Sequence, residues 1–185
     1  MSAFSKSPTI ALVAGLAIAL VLALVASGGG FDGAGPLAVR FLHVAAAMVW
    51  GGFIVFVNLV QLTALAAASD GERPVIVRQI VPRTARVFAI AADATLATGL
   101  LMTWPLHASL ASRPVLLAGI AGGIAMWAIV RFALKPNVAR VTGQTAATDA
   151  QKAASRAAIA LWARVNLALL LPVTMAMLAA GHFGA

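Results

Sequence analysis

The side chains in this sequence best suited to chemistry are three histidines, His43, His107 and His182. Neutral imidazole is the commonest metal ligand, and two of them on facing helices can hold a haem iron from both sides or share a copper or zinc ion with a third ligand. Ala45, Ala46 and Ala47 follow His43, and Ala179, Ala180 and Gly181 precede His182. Such small residues let helices approach closely and leave room for a flat macrocycle. An interfacial histidine also serves simply by hydrogen-bonding to headgroups or water, and His107, placed after Trp104-Pro105, fits that reading best. The chain has no Cys, which excludes disulfides, thiolate catalysis, iron–sulfur clusters and covalent CxxCH haem attachment together. No GxxxxGK[ST] or GxGxxG phosphate loop is present, so nucleotide chemistry is not expected.

A second set of polar residues lies within otherwise apolar sequence: Asn58, Gln61, Asp93, Arg131, Arg164 and Asn166. His43, Ala47, Trp50, Ile54, Asn58 and Gln61 recur at helical spacing and share one stripe, and a polar stripe inside lipid should face the bundle. At about 1.5 Å per residue, Asn58 lies roughly 22 Å along the helix from His43, and Arg164 about 27 Å from His182. The set therefore forms a separate layer in the other half of the membrane. Its structural reading has Arg131 and Arg164 snorkelling to headgroups, Asn58 and Asn166 bridging helices, and Asp93 in one ion pair, for which Arg164 is a candidate partner. Its functional reading is a proton or quinone route. The four Trp residues read as belt or core.

The elements that must position these residues follow from composition. Of 185 residues, 62% are hydrophobic and 10% charged, against roughly 45–50% and about 25% in soluble domains. The fold class is all-α, an integral membrane bundle of five transmembrane helices in a single domain, with spans at 9–27, 41–66, 87–106, 114–133 and 157–182. The first apolar run also resembles a signal peptide, with Lys6 ahead of it and Val25-Ala26-Ser27 at its end. It exceeds the roughly 7–15 residues of a usual signal core and is read as a retained helix. Four Arg lie between spans two and three, and five basic residues lie from Arg131 to Arg156. The positive-inside rule makes both segments cytoplasmic, with the N-terminus inside and the C-terminus outside. All three histidines then fall at the outer face. The net charge of +8 is accounted for by this topology, and no nucleic-acid partner is expected because the cations are not clustered with aromatics.

Two segments resemble a known family. Arg40-Phe-Leu-His43-Val-Ala-Ala-Ala-Met-Val-Trp50-Gly51, continuing to Asn58-Leu-Val-Gln61, is similar to the first haem-type helix in the N-terminal membrane domain of bacterial membrane-bound, cytochrome-linked urate oxidases. Val81-Pro82-Arg83, Thr98-Gly99-Leu100-Leu101, Lys135-Pro136-Asn137 and Ala163-Arg164-Val-Asn166 with Leu171-Pro172 and His182 follow in the family's order. Family members that oxidise urate also carry a C-terminal c-type cytochrome with CxxCH. The resemblance implies a redox module of the bacterial inner membrane that binds haem b noncovalently, with His43 and His182 as axial ligands and Trp50 and Gly51 beside them. His107 is the weaker candidate ligand. Its implied partners are the lipid bilayer and a cytochrome c or other membrane redox subunit, and a homo-oligomer is compatible. If the chain is an enzyme, it is an oxidoreductase.

Helices with His, Trp and Gly at this spacing also occur in copper-resistance permeases and the membrane protoporphyrinogen oxidase family. A copper-handling protein using the three histidines, and a non-catalytic accessory subunit of a larger redox complex, are the alternatives.

Overall fold

A computed structural model describes residues 7–183, apart from the side chains of Phe31, His107, Ala108 and residues 181–183. Every regular element among the described residues is helical. Five helices are long and apolar enough to cross a membrane: α1 (Pro8–Ala26), α2 (Asp32–Ala67), α3 (Arg73–Leu106), α4 (Pro114–Val141) and α5 (Asp149–Ala180). These make the chain a multi-pass membrane protein. Contacts group the chain into two compact units, Met1–Leu42 and His43–Ala185.

In the first unit, Ser7 starts α1 by accepting the Ile10 amide on its hydroxyl, 3.4 Å away, with Pro8 at the first helical position where its missing N–H costs nothing. The exposed side chains of α1 are apolar on every side, including Leu12, Val13, Ile18, Val21, Leu22 and Val25, as a lipid-facing helix requires. The helix ends because Gly28 and Gly29 take φ of +71° and +81°, a region closed to most side chains. Their amides return to Val25 O at 3.0 Å and Leu24 O at 2.9 Å, satisfying carbonyls that the helix end leaves free.

In the second unit, α5 packs antiparallel to both α2 and α4. Asn58 donates its Nδ2 to Ala163 O at 3.1 Å, and a Cβ on Gly51 would lie 3.3 Å from Leu170 Cδ1. On the α4 side, a Cβ on Gly119 would lie 3.3 Å from Ala176 Cβ, and one on Gly122 would be driven into Val173 Cγ2. Glycine at these positions permits the close backbone approach on which helix association in lipid depends. The interior consists of Trp50, Ile54, Phe88, Ala91, Ala92, Met126 and Val130, with Leu167, Leu170 and Val173 of α5 packed against them.

The helices extend past the apolar spans expected from sequence. Arg73 to Arg86, Lys135 to Val141 and Asp149 to Arg156 are largely helical rather than loop, because lipid thickness limits the apolar run and not the hydrogen-bond ladder. Three wide π-helical turns occur, at Val57–Gln61, Ile76–Ile80 and Ile129–Leu134.

Candidate functional site

His43 lies on α2, and its ring reaches α3. Nδ1 is 2.9 Å from the carbonyl oxygen of Thr95 and 3.2 Å from Thr98 Oγ1. A carbonyl can only accept, so Nδ1 carries a hydrogen, and in the neutral imidazole the lone pair is then on Nε2. Among the described residues Nε2 has no hydrogen-bond partner. The Thr98 hydroxyl spends its own hydrogen on Ala94 O at 2.6 Å, so its oxygen faces Nδ1 as a second acceptor. Gly99 makes room for the ring, since a Cβ there would sit 3.0 Å from Cε1. Histidine ligands are commonly held in this way, with the far nitrogen donating to a carbonyl so that tautomer and ring orientation are fixed before a metal arrives.

The pairs Asn58 with Ala163 and Gly51 with Leu170 set the antiparallel register of α2 against α5. Continuing that register brings His43 level with about Leu178, roughly one helical turn short of His182. The helix continues beyond the apolar span of α5 to Phe183, so the backbone of residue 182 belongs to it. The side chains of His182 and of His107 lie outside the described residues. The backbone of residue 107 belongs to a 3₁₀ segment, Trp104–Ser112, where a loop was expected. Among the described residues no three His, Cys, Asp or Glu side chains come together.

Trp50 and Gly51 pack helices together. Trp50 is buried in the apolar interior with its indole Nε1 unpartnered, and Gly51 abuts Leu170.

The second polar layer separates into parts. Asp93 accepts Trp127 Nε1 at 2.9 Å and pairs with Arg131, whose NH2 lies 3.1 Å from its other oxygen. Arg164 is therefore not its partner. Asp93 stands on the shoulder of α3 that meets α4, whereas Arg164 is exposed on α5. Asn58 links α2 to α5, as expected. Asn166 does not bridge: it is 1% exposed, and both its amide atoms lack a partner. Gln61 is buried with Oε1 unpartnered.

Sequence reasoning did not single out Thr95, Thr98 and Gly99 as site residues, nor Trp127. The signal available was Thr95-x-x-Thr98-Gly99, which puts a hydroxyl, a carbonyl and a missing side chain on one turn of a transmembrane helix. No protein-family model matches the chain, and neither a curated protein nor a solved structure shows significant similarity to it.

Proposed function

We propose that the chain is a membrane redox module that binds haem b noncovalently, as its resemblance to the membrane domain of cytochrome-linked urate oxidases implies, with His43 and His182 as axial ligands. The observation that carries this reading is the hydrogen bonding of His43: Nδ1 is committed to Thr95 O at 2.9 Å, so in the neutral imidazole Nε2 is the nitrogen available to a metal. A pair of histidine donors would suit a haem better than a bare copper or zinc ion, because haem takes two protein ligands where the bare ion takes three or more.

Bound haem b supplies a reversible one-electron couple. The protein's part is positional and electrostatic. His43 binds through Nε2, Thr95 holds its ring against rotation, and Gly99 lets the ring lie close to α3. The apolar residues around Trp50 and Ile54 keep water from the interior. If His43 and His182 both held the haem iron, small molecules would be kept from it, which would favour electron transfer to a partner over oxygen activation. The excess of Arg and Lys at one end of the helices supports an orientation with the N-terminus on the cytoplasmic side and the histidines on the outer side.

The test is a reduced-minus-oxidised visible spectrum of detergent-purified protein produced with haem supplied, with metal analysis of the same sample. Sharp α and Soret bands at about one haem per chain are expected for a single bis-histidine site. A featureless spectrum overturns the reading, and the copper content then separates copper handling from an accessory role.

A further inference from the structure

The end of the second unit opposite His43 carries more positive charge than its own carboxylates neutralise. Among the described residues, Arg78, Arg83, Arg86, Lys135, Arg140, Arg156 and Arg164 have no carboxylate within 4.0 Å, and the ion pairs are Asp70 with Arg73, Asp149 with Lys152, and Asp93 with Arg131. Two of the unpaired cations are brought together by the packing of α3 against α4. Asp93 is fastened to Trp127 and Arg131 at 2.9 and 3.1 Å, which fixes the register of the two antiparallel helices. Arg86 stands seven residues before Asp93, about two turns lower on the same shoulder of α3. Lys135 follows Arg131 by four residues through the π-helical segment Ile129–Leu134. A π turn takes about 4.4 residues, so those four residues make nearly one full turn and bring Lys135 beneath Arg131. Asp93 meets Trp127 and Arg131 together and so stands between them in height. Arg86, about 10 Å below Asp93, and Lys135, four residues past Arg131 and eight past Trp127, therefore come to similar heights on adjoining helices, both exposed. Arg131, whose charge Asp93 already meets, lies just above them.

We infer that the exposed surface where α3 adjoins α4 binds the phosphate of an anionic phospholipid headgroup, held by the Arg86 guanidinium and the Lys135 ammonium. A guanidinium matches two phosphate oxygens with parallel N–H groups, and an ammonium adds a compact charge beside it. Lipid is the occupant because the two cations lie toward the ends of helices long and apolar enough to cross a membrane, where headgroup phosphates are concentrated and basic residues are drawn to anionic lipid. The Asp93–Trp127–Arg131 contact keeps the two cations at one level. The inference is independent of what His43 binds.

The experiment titrates short-chain phosphatidylglycerol, phosphatidylcholine and inorganic phosphate separately into the detergent-solubilised full chain, with bound lipid counted by native mass spectrometry. Phosphatidylglycerol should bind in preference to phosphatidylcholine. Arg86→Gln and Lys135→Gln should each weaken it about fivefold, and Arg86→Lys and Lys135→Arg should retain most of the binding. Arg156→Gln, which removes an equal charge elsewhere, should change it less than about twofold. Helicity by circular dichroism checks that each variant folds. Equal losses from Arg156→Gln and Arg86→Gln would show diffuse charge attraction and overturn the site. So would equal binding of the two lipids, or displacement of the lipid by millimolar inorganic phosphate, which would mark a free-anion site.

Discussion

His43 on α2 is tied to the backbone of Thr95 on α3 by a 2.9 Å hydrogen bond from Nδ1. A carbonyl cannot rotate away as a side chain can, so this contact fixes both the tautomer and the direction of the ring. It also joins two helices at a point where Gly99 leaves the space that the ring occupies. In the proposed site the same bond orients the ligand and raises its basicity.

Gly99→Val tests the cradle without touching the ligand. The new Cβ would meet His43 Cε1 at 3.0 Å, and its branches would force the ring off Thr95 O. Haem retained after purification should fall by about tenfold or more, the usual cost of disturbing an outer-shell partner, while helicity stays near wild type. Titration of haem into the purified variant and the wild type measures the ratio.

Asp93 and Arg131 form a pair whose members are unequal under substitution. Their side chains are 39% and 33% exposed, so the pair is only partly screened. Arg131→Ala leaves a carboxylate inside a span with the Trp127 indole as its remaining partner, and should lower stability by about 1–3 kcal/mol. Asp93→Asn keeps an acceptor for Trp127 and should cost less. Thermal unfolding in one detergent at one pH ranks the two. A larger loss from Asp93→Asn would count against the arrangement.

Asn166 is expected to respond in the opposite direction. Among the described residues both its amide atoms are buried without partners, so Asn166→Leu removes an unsatisfied polar group while keeping the branching and number of heavy atoms. It should raise stability by about 1–2 kcal/mol, seen as a higher melting temperature. A lower melting temperature would mean that the amide has a partner in the membrane.

Glu72 is a carboxylate whose ionisation is favoured by its surroundings. It accepts the Ser69 hydroxyl at 2.7 Å and the Ser69 amide at 3.0 Å, and these bonds hold its pKa below the usual carboxylate range. A lowered folded pKa means that the contribution is present above the unfolded value and is lost as pH falls through the folded value. The turn between α2 and α3 should therefore loosen only under acid. Amide hydrogen exchange at residues 69–73, corrected for intrinsic rate, should rise between neutral pH and about pH 3 and should rise already at neutral pH in Glu72→Gln.

The five spans were legible because each requires an apolar run of about 20 residues, which composition alone exposes. Helix ends were not, since Arg73 to Arg86 and Lys135 to Val141 are polar enough to read as loop and yet continue the ladder outside the lipid. The inward stripe of α2 was legible from spacing, and Trp50, Ile54 and Gln61 are all buried. The partner of Asp93 was not, because Arg131 and Arg164 are both basic residues at the same depth. Only the packing of α3 against α4 selects between them. Thr95 was hidden for a different reason: its backbone carbonyl faces the site, and every residue has one.

The most direct measurement of the central claim is the haem content of His43→Ala beside wild type, with Thr98→Val as a variant that keeps the ligand. The account predicts about one haem per chain in the wild type, near-complete loss in His43→Ala, and retention with weakened affinity in Thr98→Val. Full haem content and an unchanged spectrum in His43→Ala would contradict it.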